Sequence, residues 1–298
     1  KRMMEVVYDY AEPGCLFTQE ARNYNFMEFD DNYNIVTCNP CGEQTLKEKS
    51  CCNLGSLNLY EFVENKFTDK AYFDFDGFNK AIRIAANALD DIIDENADKL
   101  PDELKEYRDN ATNWRNIGLG TYGYADMLMA LRLKYGSDEA IKFTDTLFSR
   151  MMITSIIEND NRGYKKGNYP LCKIDAITRS EIYQNHMNTK IDYFRNCSLL
   201  SIAPNGSIAT MMGLSGGIEP EFALSYTRRT DNLKDAYKIE ARVVKDYREI
   251  TGNIGELPDY FVTSAEIPWR NRIDTQAVIQ RHVDTAISST VNLPNETT

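Results

Sequence analysis

The chain has 298 residues, a formal net charge of −11 at neutral pH, and 42% hydrophobic against 27% charged residues. That balance fits a globular protein with a sizeable core and excludes bulk disorder. The acidity argues against a surface that as a whole binds nucleic acid or anionic membrane, although a small anion needs only a local cluster of backbone N–H groups. No apolar run approaches the roughly 18 residues of a membrane helix. Seven irregularly spaced cysteines, with no visible signal peptide, read as reduced thiols of a cytoplasmic protein and not as a disulfide framework.

In chain order, Met3 to Tyr10 reads as the last turns of a helix closed by Pro13-Gly14. Residues 21–37 are rich in Asn and Asp and read as loop, ending in the β-type fragment Ile35-Val36-Thr37. Cys38, Cys41, Cys51 and Cys52 follow, and Leu54 to Leu59 alternate loosely. The stripe Ala81, Ile82, Ala85, Leu89, Ile92 and Ile93 predicts a helix over 78–93, with the acidic residues 90–110 closing it as a solvated face. Further helices are predicted over 121–133 and 138–158, the second capped by Ser137 and broken by Gly163 and Gly167. Ser198 to Ala203 is of strand length, and Phe222 to Tyr226 reads as a second buried strand entered from Gly216-Gly217. Residues 276–287 read as a short helix. Long helices mixed with short buried strands predict an α/β fold, without internal repeats or low-complexity linkers.

Asn39-Pro40-Cys41-Gly42-Glu43 is the first constellation that could carry chemistry. In an extended backbone, positions 39, 41 and 43 share a face and align an amide, a thiol and a carboxylate. These can hydrogen-bond a hydroxyl, act as nucleophile or radical site, and take a proton. A loop with an incidental thiol is the competing reading. Cys38 and Cys41 have thioredoxin-type spacing, but that chemistry wants a helix start, and Lys47-Glu48-Lys49 fits one poorly. Vicinal Cys51-Cys52 lacks the second ligand pair of a structural zinc site, so no metal site is predicted. Cys52 either reaches the pocket of Cys41 across two strands and a short loop or is a buried small hydrophobe.

Gly118-Leu119-Gly120-Thr121-Tyr122-Gly123 matches the dinucleotide-binding glycine pattern. Residues 111–116 before it are not a strand, so the glycines are read as permitting close helix packing. Ser201 to Thr210 runs from a strand through a Pro/Gly turn into hydroxyl residues that open a helix. It either presents free N–H groups to an anion or is an ordinary turn. The only histidines, His186 and His282, are far apart in sequence, so sulfur chemistry is expected over imidazole chemistry.

Taken together, Asn39–Gln44, Cys52–Leu59, Asn116–Gly120, Ser201–Ile208, Gly217–Pro220, Asp284–Ser288 and Thr290–Pro294 resemble, in order, the catalytic subunit of ribonucleotide reductase. The resemblance implies a ten-stranded α/β barrel with a central finger loop carrying the catalytic cysteine. This chain would be the second part of that barrel, a single partial domain over 1–298, incomplete at both ends, with Lys1 internal to something longer. It implies that Cys41 is the thiyl radical that removes the ribose 3′ hydrogen, that Glu43 deprotonates the 3′ hydroxyl, and that Asn39 bonds the sugar hydroxyls. Pro40 and Gly42 would line the substrate beside them. Cys52 would be one of two redox thiols, and Pro204, Asn205, Gly206, Ser207 and Ile208 would cradle the substrate phosphates.

The wording of the blocks is most similar to the adenosylcobalamin-dependent class, with a radical from a di-metal small subunit as the alternative. Implied partners are a ribonucleoside di- or triphosphate, a thioredoxin-type reductant, the upstream part of the barrel or a separate chain supplying it, and a second copy in a full-length homodimer. Nucleic acid and membrane are not expected partners. Asn205 stands where the family usually has Thr, and Pro268–Arg272 lacks the His often found there. Two other readings stay open: a non-catalytic fragment awaiting an upstream chain that covers its strand edges, and a Cys38/Cys41 thiol oxidoreductase.

Overall fold

The computed structural model describes residues 2–11, 14–228 and 237–293. Pro13 and Pro294 of the sequence reading lie outside them. The first part of the chain holds helices α1 (Arg2–Tyr10) and α2 (Thr18–Asn23), then strands β1 (Ile35–Cys38), β2 (Thr45–Lys47), β3 (Leu54–Asn58), β4 (Val63–Glu64) and β5 (Tyr72–Phe73). Helices α3 (Phe75–Ala97) and α4 (Lys105–Trp114) lead to β6 (Gly118–Tyr122). Next come α5 (Tyr124–Ala130), α6 (Asp138–Lys166), α7 (Ile174–Arg179), α8 (Glu181–His186) and α9 (Gly206–Met212). Strands β7 (Ser225–Arg228) and β8 (Tyr237–Glu240) precede α10 (Arg242–Thr251) and α11 (Trp269–Gln280).

A parallel wall organises these elements. β3 pairs with β6 in register from Leu54↔Gly118 to Asn58↔Tyr122. β6 pairs onward with the 199–202 segment through the Leu119↔Leu200 bridge, and that segment with 285–288 through Ile202↔Ile287. Every residue of β6 is buried, as expected for parallel strands covered on both faces. Helices connect each member of the wall to the next, which is how parallel neighbours must be joined. No helix among the described residues is long and apolar enough to cross a membrane.

Several sequence expectations shift. The helix predicted from 121 begins only at Tyr124, because Thr121 and Tyr122 finish β6. Gly118 and Gly120 serve strand packing, not helix packing: a Cβ on Gly120 would lie 2.3 Å from the Ser201 carbonyl oxygen. α6 continues through Gly163, whose missing side chain admits Tyr193, and stops at Gly167. α11 ends at Gln280, and 285–288 is extended because it joins the wall. Phe222 is exposed and strand β7 starts only at Ser225. α2 occupies part of the predicted loop.

The acidic stretch after residue 90 is not uniformly solvated. Asp90 is fully buried and binds Arg115 (2.6 Å), Arg162 (2.5 Å) and Arg195 (3.2 Å), and it accepts from Asn196 Nδ2 at 2.8 Å. Burial alone would raise its pKa, but the three guanidinium groups more than offset this and hold it below the usual carboxylate range. Asp90 thereby locks α3 to α6 and to the two chain segments entering the wall. Asp91 and Asp94 face the same cations, so this acidic group is already neutralised.

Candidate active site

β1 and β2 form an antiparallel hairpin in which Cys38 faces Thr45. Its tip is not extended, so Asn39, Cys41 and Glu43 do not share one face as expected. Gly42 adopts φ +78°, a conformation glycine takes without strain. The tip is closed by Asn39: its N–H donates to the Gln44 carbonyl, and its Oδ1 accepts from Gln44 N at 2.9 Å. Asn39 therefore keeps its Nδ2 donors and one Oδ1 lone pair for a ligand. The turn leaves Cys41 exposed and Glu43 2% exposed. Because a turn and then β2 follow Cys41, no helix N-terminus stands there to lower a thiol pKa as a thioredoxin-type pair requires. All seven cysteines are free thiols.

The hairpin tip is fastened to the wall through a single carbonyl. Glu43 O accepts from Ala286 N (2.9 Å), Ser201 Oγ (2.8 Å) and Thr285 Oγ1 (3.1 Å). Asp284 braces the same region, taking Leu199 N at 2.9 Å and Leu200 N at 2.7 Å. Sequence reading missed Ser201, Thr285 and Ala286 as supports; only their membership of the matched blocks hinted at them. Gly118 makes room for the tip, since a Cβ there would meet Leu54 Cδ2 at 2.6 Å, Ser201 Cβ at 2.7 Å and Gln44 Nε2 at 3.4 Å.

Among the described residues, Glu43 Oε2 has no hydrogen-bond partner, nor has either polar atom of the fully buried Gln44 side chain. Unpaired buried polar atoms are costly to a purely structural residue and rare in folded proteins. Glu43 thus keeps a buried carboxylate oxygen without a protein partner at the tip. Cys52 lies just before β3 and is exposed. Partial burial, then the neighbouring Glu43, Cys51 and Cys41, push its thiol up to about 11. Cys52 is therefore within electrostatic reach of both Cys41 and Glu43. At neutral pH it is a protonated thiol, suited to giving up hydrogen and poorly suited to binding metal.

The turn expected to take an anion lies at the end of the 199–202 segment. Asn205 sits at φ +57° with its side chain turned into the fold. Ser56 Oγ donates to its Oδ1 (3.0 Å), and its Nδ2 donates to the carbonyls of Thr121 (3.2 Å) and Ala203 (3.0 Å). Asn205 thus ties the turn to β3 and β6. Gly206, Ser207 and Ile208 are exposed in the first turn of α9, where main-chain N–H groups lack helical partners. Gly216 packs beneath, since a Cβ there would lie 2.4 Å from the Pro204 carbonyl oxygen.

Comparison with known proteins gives a consistent picture. The family model described as ribonucleotide reductase, barrel domain, matches residues 1–298. The chain is 30% identical to the vitamin B12-dependent ribonucleoside-diphosphate reductase of Thermoplasma acidophilum, over 99% of this chain and 38% of that protein. It is also 30% identical to the protein of the same name from Mycobacterium tuberculosis (strain CDC 1551 / Oshkosh), over 95% of this chain and 41% of that one. The chain thus spans about two fifths of the length of these curated relatives. The ribonucleoside-diphosphate reductase subunit alpha of Chlamydia pneumoniae is 26% identical over 97% of the chain and 31% of that protein. Among solved structures, the Actinobacillus ureae class Id ribonucleotide reductase alpha subunit superposes with a TM-score of 0.70 at 19% identity, covering 95% of this chain and 53% of that one, a likeness of fold. The parallel wall, the hairpin lodged against it and the match along the whole chain place this protein in the ribonucleotide reductase barrel-domain family.

Proposed function

We propose that the protein carrying this chain reduces ribonucleoside di- or triphosphates to deoxyribonucleotides by thiyl-radical chemistry. One observation carries the reading: an exposed thiol and a buried carboxylate with an unpaired oxygen share a hairpin tip fastened to the wall, and the charge of that carboxylate reaches a second, protonated thiol at Cys52. In this reading a radical on Cys41 Sγ takes the ribose 3′ hydrogen atom, forming S–H and leaving the radical on carbon. Glu43 takes the 3′ hydroxyl proton on its free oxygen. Asn39 holds a sugar hydroxyl through Nδ2, one lone pair of its Oδ1 being engaged by the turn. Pro40 and Gly42 shape the floor beneath the sugar. Cys52 and a second thiol outside this chain supply the reducing equivalents. The phosphates rest on the main-chain N–H groups of Gly206, Ser207 and Ile208 and on the Ser207 hydroxyl, with Pro204 and Asn205 fixing the turn.

The Thermoplasma and Mycobacterium relatives are named vitamin B12-dependent, which favours adenosylcobalamin over a di-metal subunit as the radical source. The residues beside the tip are compatible with it. Cys41 is exposed, and Gly42 next to it borders a largely apolar hollow of about 540 Å³ that also involves Leu16, Phe17, Tyr24, Thr45 and Ala286. These side chains would hold an apolar face of the cofactor, which supplies when bound a carbon radical able to take hydrogen from a thiol. A thioredoxin-type reductant, the upstream part of the barrel in the same or a separate chain, a homodimeric assembly and a cytoplasmic setting complete the proposal.

The test is turnover of the protein containing the whole barrel, supplied with nucleotide, dithiol reductant and adenosylcobalamin. Cys41→Ser should abolish deoxyribonucleotide formation while nucleotide binding persists. Normal turnover by that variant would refute the assignment.

A further inference from the structure

His186 and His282 are the only two histidines of the chain, and the fold places them in contact. His186 Nε2 lies 2.7 Å from His282 Nδ1. His186 Nδ1 lies 2.7 Å from the Ile182 carbonyl oxygen, one turn back in α8. His282 Nε2 lies 2.9 Å from Asp145 Oδ1 in α6. His282 is buried and His186 partly so. Neither residue belongs to the site described above.

Counting protons constrains this chain of contacts. A carbonyl and an ionised carboxylate only accept, so each outer contact needs an N–H on the ring facing it. The middle contact needs one more N–H between the two rings. Three N–H groups are required, and two neutral imidazoles carry two. With two, either lone pairs face each other across 2.7 Å, or a lone pair faces Asp145 or the Ile182 carbonyl. A metal ion is not the alternative: zinc–nitrogen bonds of about 2.0–2.1 Å at tetrahedral angles would hold the two nitrogens farther apart than they are.

The location gives the pair its consequence. His282 opens the segment in which Asp284 braces Leu199 and Leu200 while Thr285 and Ala286 hold the Glu43 carbonyl. Its partners sit on α8 and α6, outside the wall. We propose that His186 and His282 share one extra proton, and that this imidazole–imidazolium pair is a positioning element that pins residues 282–286, and with them the seat of the Glu43 loop, against α6 and α8. Loss of the proton as pH rises opens one of the three contacts and loosens that seat.

The charged groups facing the pair are Asp145 from α6 and Arg281 at the end of α11. Arg281 lies 3.1 Å from the same Asp145 oxygen and competes for it. Tyr24, uncharged, donates to the Arg281 carbonyl at 2.6 Å. Burial pulls each ring below its ordinary value, and the charge of His282 on His186 and of Arg281 on His282 pulls the same way, while the Ile182 carbonyl favours the proton on His186 and Asp145 favours it on both. The shared hydrogen bond acts on the pair, which titrates as one unit. A second extra proton would set two imidazolium rings face to face and is held off to low pH.

The test uses the protein carrying this chain, labelled with 15N-histidine, with His186→Gln and His282→Gln giving the resonance assignments by difference. Long-range 1H–15N spectra should show both rings shifting together as one proton is taken up between about pH 5 and 8. His186→Gln should abolish that joint step and shift the His282 midpoint, and Asp145→Asn should lower the joint midpoint. Independent titration of the two rings, or an unchanged His282 midpoint in His186→Gln, would overturn the shared proton. Hydrogen exchange at the Ala286 amide, corrected for intrinsic rate, should quicken about tenfold above the joint midpoint in the parent protein and show no such step in His186→Gln. Equal protection on both sides of the midpoint would overturn the positioning role. The link to Glu43 as a catalytic group rests on the proposed function, but neither readout involves turnover, so failure of the Cys41→Ser test and failure here are separate results.

Discussion

Gly120→Ala offers a direct test of how the wall supports the hairpin. The added methyl would lie 2.3 Å from the Ser201 carbonyl oxygen and 3.2 Å from Ile202 Cα. Both are backbone atoms of the adjacent segment, which cannot swing aside as a side chain would, so the strands must part by about an ångström to restore ordinary contact. Overpacking of this kind costs about 1–3 kcal/mol. The same movement strains Leu119 N→Leu199 O and Ser201 N→Leu119 O, each worth about 1 kcal/mol net. Together these give a loss of roughly 3–5 kcal/mol. Gly206→Ala is the control: a Cβ there meets nothing within 4 Å and its φ is not positive, so it should be neutral or stabilise by up to about 1 kcal/mol. Urea unfolding of the two variants against the parent gives both numbers. Because Ser201 Oγ holds the Glu43 carbonyl, Gly120→Ala should also depress the activity proposed for the protein carrying this chain even where it remains folded. A Gly120→Ala loss below about 1 kcal/mol would show that the wall yields at this contact and refute the close packing of β6 as the support.

Asp90→Ala should destabilise by about 3–5 kcal/mol in the same assay, because it strands Arg115, Arg162 and Arg195 without their buried partner; a loss under 1 kcal/mol would mean the guanidinium groups re-pair with Asp91 and Asp94. Glu221 has its carboxyl pushed up to about 8 by burial and then by neighbouring Asp126. Its folded pKa lies above the unfolded value, so the folded state holds the proton more tightly and stability should fall as pH rises from about 4.5 through 8. Glu221→Gln should flatten that slope and gain stability at pH 8 by more than about 1.4 kcal/mol, the worth of one pKa unit; an unchanged pH–stability curve would contradict the pairing. Ser137→Ala removes the cap that Ser137 Oγ gives to Ala140 N and should cost about 1 kcal/mol by thermal or chemical unfolding; no measurable loss would show that the first turn of α6 is held by packing alone.

Local chemistry in the sequence determined much about this protein. Periodic apolar residues placed α3 and α6, Ser137 marked the start of one, and the Pro-Asn-Gly-Ser run gave the turn before α9. The thiol, amide and carboxylate of residues 39–43 were legible as a chemical unit, and the ordered blocks carried the family. Tertiary structure alone decided how those groups are disposed. Asn39 turns its Oδ1 to the Gln44 N–H, Glu43 is buried while Cys41 is exposed, and Cys52 comes within electrostatic reach of both. The glycines of β6 read as helix-packing residues because their neighbours, Leu54, Ser201 and the hairpin tip, come from distant parts of the chain. Asp90 looked solvated because its three arginines lie 25, 72 and 105 residues away. Residues 285–287 changed from predicted helix to extended wall because pairing with Ile202 outweighs local preference. Two histidines 96 residues apart carry no local signal of contact: spacing reports only what lies within a few turns or along one strand, and the fold alone brings distant partners to hydrogen-bonding distance.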